Sequence, residues 1–227
     1  MDTALAKLIS APDLADRVYR SLLDAISDGS LAPGQRITQE DIAERLAVSR
    51  QPVLQALRLL KKDGFVHDAP GRGVLVAPLD VLWMRQVYEV RGAMDALAAR
   101  LAAKRRAVLP ADLIARGRKV ARGKDIQAMI DADMAFHQAI YSASGNALIG
   151  QSANQLWHHL RRVMGAVLQA THQRQSVWDE HEAIATAIAA GQAERAATLI
   201  DQHGRQASLD LAQRLTQVLQ STAGVPA

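Results

Sequence analysis

Apolar residues follow two successive patterns along the chain, and the change near Pro78 divides it. From Asp13 to Asp28, Leu14, Val18, Leu22, Ala25 and Ile26 share one face at helical spacing, with Gly29 as the stop. Pro33-Gly34 predicts a turn, after which Thr38 caps a short second helix with Asp41 at the capping-box position. Ala47-Val48 is a tight connection. Ser49 is placed to cap a third helix running to about Asp63, with Pro52 tolerated in its first turn and Gly64 ending it. Phe65-Val66 and Val74-Leu75-Val76 are short β runs around a glycine-rich tip, Ala69-Pro70-Gly71-Arg72-Gly73.

After Pro78 the β pattern disappears. Helical spacing predicts a long helix from Val81 to Arg106, then helices over about Pro110–Arg122 and Ile126–Ala143. Asn146 caps the next, to about Ala170; Ser176 opens another that stops at Gly191, and a last one covers about Ala193 to Gln220. The fold expected is mostly α. Residues 1–79 form a three-helix domain with a β-hairpin wing, and residues 80–220 form an all-α bundle of about six helices after a short linker at Pro78–Asp80. The small, polar residues 221–227 are expected to be a disordered tail.

Composition narrows the chemistry. Only 4% of residues are aromatic, so the core must be built from Ala, Leu, Val and Ile, which suits packed helices. The absence of cysteine excludes disulfides and thiolate metal sites and fits the cytoplasm. No apolar run approaches the roughly 20 residues of a membrane span, and Met1 to Ser10 carry no cleavage pattern. The formal net charge is +4, yet residues 1–79 hold ten Lys/Arg and ten Asp/Glu. Distribution matters more than the sum: Arg45 to Lys62 contains Arg45, Arg50, Arg58, Lys61 and Lys62 and no acid, a basic stripe of the kind that phosphate contact requires.

Apart from Arg45, that stripe lies on the third helix, the one that follows the tight turn. Val53, Ala56, Leu57 and Leu60 are its apolar face, and Arg50, Gln51, Leu54, Gln55, Arg58 and Lys62 its opposite face, able to read base edges and hold phosphates. Pro33-Gly34, Ile42-Ala43 to Leu46, Val48-Ser49-Arg50-Gln51-Pro52-Val53, Ala56-Leu57 and Gly71-Arg72-Gly73 closely resemble the GntR-type transcription regulators. The resemblance implies a winged helix-turn-helix in which Ser49-Arg50 opens the recognition helix and Arg72-Gly73 of the wing touches the DNA backbone or minor groove. One departure matters: the family usually places Arg-Glu after Pro-Val, whereas this chain has Leu54-Gln55, so Leu54 is expected against a thymine methyl instead. Two-fold symmetric readers of this kind bind palindromic operators, which predicts a homodimer held by the helical domain.

Four ionisable residues interrupt the apolar stripes of that domain. Asp133 and His137 are four apart on the stripe Ile126, Met129, Ile130, Ile140; His181 is in line with Trp178, Ile184 and Ile188; His203 is in line with Leu199, Ile200 and Ala207. Buried carboxylates and imidazoles need partners, and one divalent cation (Zn²⁺, Ni²⁺ or Mn²⁺) would satisfy all four together, although an internal hydrogen-bonded cluster would also do so. On the first long helix Arg91 is placed inward with Val87, Val90, Met94, Leu97 and Leu101, either paired with Asp95 or free to grip a carboxylate effector. Arg161 is at the edge of its stripe and Arg162 faces away; His67, His158, His159 and His172 are expected in solvent, and Glu180 and Glu182 off the face of His181. Tyr88-Glu89-Val90-Arg91, Asp133 to Phe136-His137, Gly145-Asn146, His181-Glu182-Ala183-Ile184 and His203 resemble the FCD domain of the FadR branch of GntR regulators, and the helix number resembles its VanR-type subgroup. The resemblance implies that the Asp and three His hold a metal and that Arg91 grips a small carboxylate at it. A metal-dependent enzyme with a DNA-binding appendage is the alternative, weakened by the absence of an HExxH motif or nucleophile pair.

Overall fold

The computed structural model describes residues 14–168 and 176–223, and the chain divides into two compact units between Pro78 and Leu79. In the first unit, α1 (Leu14–Ser27), α2 (Gln39–Arg45) and α3 (Arg50–Lys62) accompany a three-stranded antiparallel sheet. Val18, Leu22 and Ile26 of α1 meet Ile42 of α2 and Val53, Ala56, Leu57 and Leu60 of α3 in one core, closed below by Phe65 and Val76. Leu60 is wholly buried, so truncating it to Ala should cost about 2–5 kcal/mol. Tyr19 Oη donates to Asp63 Oδ2 at 2.7 Å, tying α1 to the C-cap of α3.

Thr38 caps α2 as its spacing implies, its hydroxyl accepting from the Asp41 amide at 3.2 Å. Ser49 stands at the N-cap of α3, but its side chain makes no capping bond, so the serine's expected structural role is not filled. The sheet adds a strand that the apolar pattern did not predict. β1 (Arg36–Ile37) pairs with β3 (Val74–Val76), which also pairs with β2 (Val66–Asp68), in the order β1-β3-β2. Two residues are too few to display an alternation. Gly73 is fixed by this arrangement: it has φ +87°, and a Cβ there would lie 2.4 Å from the Ile37 carbonyl oxygen, so the wing can cross β1 only through glycine.

The second unit is built from α4 (Val81–Lys104), α5 (Leu113–Ala121), α6 (Ile126–Ser144), α7 (Ala147–Leu168), α8 (Ser176–Ala189) and α9 (Ala193–Ala223). Asp80 is itself the N-cap of α4, accepting from the Trp83 amide at 2.7 Å, so the expected linker is shorter than Pro78–Asp80. α9 runs through Ser221 to Ala223, where a tail was expected; 224–227 lie outside the described residues. α4 packs against α6, α7, α8 and α9 and forms the spine of the bundle. Its alanines Ala98, Ala99, Ala102 and Ala103 are buried, and their small side chains let neighbouring helices approach closely.

The buried face of α4 is turned from the expected one. Met84, Val87, Tyr88, Arg91, Asp95 and Ala98 are inside, whereas Val90 and Leu97 are exposed. The cause is Asp95. An apolar stripe gives a carboxylate no place, yet Asp95 is completely buried because Arg91, one turn earlier, is its counter-charge.

Candidate functional site

α6, α8 and α9 bring Asp133, His137, His181 and His203 together, with one potential ligand atom from each lying within 4.8 Å of all the others. The i, i+4 spacing on α6 puts Asp133 and His137 on one face. His181 Nε2 lies 3.5 Å from Asp133 Oδ1 and 3.3 Å from His203 Nε2. The three imidazoles are buried and Asp133 is mostly so. Around them Phe136 stacks on His181 with ring centroids 4.0 Å apart, and Trp178 meets the same imidazole edge-on at 4.7 Å.

A second layer fixes the ring orientations. Asp95 Oδ2 faces His137 Nδ1 at 3.4 Å and Arg91 Nε at 3.3 Å, and its other oxygen accepts from Tyr141 Oη in a short hydrogen bond. Trp157 Nε1 donates in turn to Tyr141 Oη at 3.3 Å. The guanidinium of Arg91 sits between the rings of Tyr88 and Trp157, 4.8 and 4.3 Å from their centroids. On the far side, His203 Nδ1 is 2.7 Å from Glu180 Oε2. A proton on that Nδ1 leaves the Nε2 lone pair aimed at the cluster. Glu180 was expected off the face of His181, and it is; what the sequence pattern missed is that the adjoining sector of α8 faces α9. A carboxylate one position before an inward histidine is the signal that points to such a contact.

Burial dominates the protonation chemistry. It pushes His137 below the ordinary histidine pKa, with Asp95 opposing, and His181 well below it, with His203, His137 and Arg91 adding repulsion. Both are therefore neutral imidazoles, the form that ligates metals. Burial alone would raise Asp95 and lower Arg91, but their mutual attraction overrides it, and both stay charged. Among the described residues, His137 Nε2 is buried without a hydrogen bond, as are His137 Nδ1 and His181 Nδ1. A cation at His137 Nε2 would satisfy the first. The donor set of one carboxylate and three neutral imidazoles fits a borderline divalent ion.

Arg91 thus realises the ion-pair alternative, and it also lines a pocket with Asp133, His203 and Tyr88. Three other expectations need correction. Arg162 does not face away but is buried, which pulls its pKa down to about 10. His159 is buried with its ring 5.7 Å from that of Trp83, and His158 is half-buried, because α7 is covered on more than one side. Arg161 pairs with Asp131 at 3.3 Å, His67 is exposed, and His172 lies outside the described residues.

In the first unit, α3 turns Arg50, Gln51, Gln55, Arg58 and Lys62 to solvent, with Leu54 half-buried among them. Arg50 Nη1 is 3.2 Å from Glu40 Oε1, an exposed pair that a phosphate or base could displace cheaply. Arg72 is exposed at the wing tip beside half-buried Gly73.

Residues 14–76 match the gntR family of bacterial regulatory proteins, and residues 86–206, more than half of the chain, match the FCD domain. The chain belongs to the GntR regulators that carry an FCD domain. An HTH-type transcriptional regulator from an unstable DNA locus of Streptomyces ambofaciens is 28% identical over 83% of this chain and 80% of its own length. Among solved structures, E. coli McbR/YncC superposes with a TM-score of 0.75 at 21% identity, over 91% of this chain and 99% of that one. A GntR-type putative transcriptional regulator from Rhodococcus sp. RHA1 gives 0.70 at 26% identity, over 87% and 96%. As a GntR/FCD protein the chain is a DNA-binding transcription regulator and not an enzyme, which removes the enzyme alternative. Among the described residues no helix is long and apolar enough to cross a membrane.

Proposed function

We propose that operator binding by this regulator is modulated by a small carboxylate effector held at a metal ion in the FCD domain. The observation that carries the reading is the convergence of Asp133, His137, His181 and His203 within 4.8 Å in the interior of the second unit. These four residues would hold one divalent cation, Zn²⁺, Ni²⁺ or Mn²⁺, whose charge anchors an effector carboxylate. Arg91 adds an electrostatic wall to the same pocket. Ser49, Arg50, Gln51, Leu54, Gln55 and Arg58 read a palindromic operator in the major groove, and Arg72-Gly73 of the wing contacts its backbone. The active form is a cytoplasmic homodimer, since one helix-turn-helix alone makes few contacts. The six helices among the described residues of the second unit favour the VanR-type subgroup.

Elemental analysis of untagged protein tests the metal. One bound ion per chain is expected, together with a melting temperature that falls with chelator and recovers with added ion. No metal uptake from any of the three ions, with no change in melting, would leave the four residues as a hydrogen-bonded core cluster. A gel shift on the protein's own promoter region, titrated with carboxylic acids, tests the effector.

A further inference from the structure

The charge of the effector pocket is set by a residue that does not line it. Arg91 and Arg214 line the pocket with Asp133 and Asp210, so its lining charges cancel, the imidazoles being neutral as metal ligation requires. Asp95, completely buried behind Arg91 and 3.3 Å from its Nε, adds one negative charge. Glu180 behind His203 is about a third exposed and screened by solvent. A divalent cation on the four ligands then leaves the pocket with one net positive charge. A single carboxylate neutralises it; among the described residues a second would meet only Arg214, half-buried and offset by Asp210 in the same lining.

Among the described residues the rest of the lining, Tyr88 apart, is apolar. Met164, Val167, Leu168, Val177, Ala207 and Leu211 face the space beyond the charged end. They offer no partner to a hydroxyl, so a polyhydroxylated ligand would lose hydrogen bonds to water on entering. The free volume is about 60 Å³, room for a handful of non-hydrogen atoms when a single water needs roughly 10–15 Å³.

We infer that the effector is a small monocarboxylate with an apolar body, and that Asp95 excludes dicarboxylates by already occupying the charge of Arg91. The inference rests on the metal-dependent effector site proposed above. Asp95 acts through Arg91 and is a specificity-determining residue without touching the ligand.

Three probes separate the possibilities on full-length, Zn²⁺-loaded protein by calorimetry: butyrate, succinate of equal chain length with a second carboxylate, and hydroxylated glycerate. Butyrate should bind at least about tenfold more tightly than either of the others, because their extra polar groups are desolvated without partners. Asp95→Asn, which keeps an oxygen for Tyr141 Oη, should narrow the butyrate-to-succinate ratio by freeing the charge of Arg91. Should that variant not fold, Leu211→Asn in the apolar wall is the second: it should weaken butyrate and spare or improve glycerate. Metal uptake, measured first, is decided separately, and its absence would overturn the site and this inference with it. Metal uptake with succinate or glycerate binding as tightly as butyrate, or with none of the three binding, would overturn the inference alone.

Discussion

Trp178 lies directly against the backbone of Gly117: a Cβ on that glycine would fall 2.1 Å from the indole. The same indole meets His181 edge-on at 4.7 Å, so a packing contact between α5 and α8 holds a candidate metal ligand in place. Gly117→Ala should gain helix propensity but force the ring aside, for a net loss of about 1–3 kcal/mol. Metal affinity should fall with it, because His181 loses its support. Chemical denaturation and metal titration of the variant check both effects. Unchanged stability and unchanged affinity would mean that Trp178 has another position open to it.

The buried pair of Arg91 and Asp95 makes a sharper claim. Arg91→Ala leaves Asp95 charged, buried and short of its main counter-charge, which should destabilise the protein by about 3–5 kcal/mol. A simple effector anchor facing an open pocket would leave stability nearly unchanged on removal. Urea unfolding of the metal-free variant distinguishes the two, since no ligand then contributes to either state.

Much of this site is readable from the chain. Asp133 and His137 four apart, with His181 and His203 each on an apolar stripe, already imply that the four side chains point inward, and the structure places them together. What the one-dimensional pattern conceals is pairing between helices. Asp95 stands in the sequence as one alternative partner of Arg91, but its contacts with Tyr141 and His137 on α6 are invisible there, and its burial turns the inner face of α4 away from Val90 and Leu97. Glu180 reaches His203 only because α8 and α9 lie side by side. In the first unit the helices followed from their spacing, whereas β1, two residues long, exists because β3 offers it an edge.

The pH dependence of stability follows from the depressed histidines. His137 and His181 have pKa values below 6.5 in the folded chain, and unfolding returns them toward that value. Below about pH 6.5 the unfolded state therefore binds protons that the folded state refuses, and stability falls as pH falls. Above that pH both states are neutral and these groups contribute no slope. The loss approaches about 1.4 kcal/mol per pH unit for each histidine protonated only on unfolding. The denaturation midpoint of metal-free protein should be flat near pH 7.5 and drop steadily toward about pH 5.5. A flat midpoint across that range would show that the two imidazoles accept protons in the folded protein.

Arg50 tests the DNA-reading face. It stands at the first position of α3, exposed, and pairs with the exposed carboxylate of Glu40. A pair of that kind contributes about 0–1 kcal/mol, so Arg50→Ala should leave the melting temperature nearly unchanged. Operator affinity should nonetheless fall. If Arg50 reads a base edge, the loss is about 1–3 kcal/mol in each half-site and discrimination at one base pair relaxes. If it holds a phosphate, binding weakens evenly across sequences and the salt dependence becomes shallower by about one unit of slope per contact. Glu40→Gln serves as the contrast: it frees the arginine without removing it and should strengthen binding slightly or leave it alone. Fluorescence anisotropy against the operator and a scrambled duplex, each at several salt concentrations, separates these outcomes. Unchanged affinity, preference and slope in Arg50→Ala would place the recognition surface on another face of the first unit.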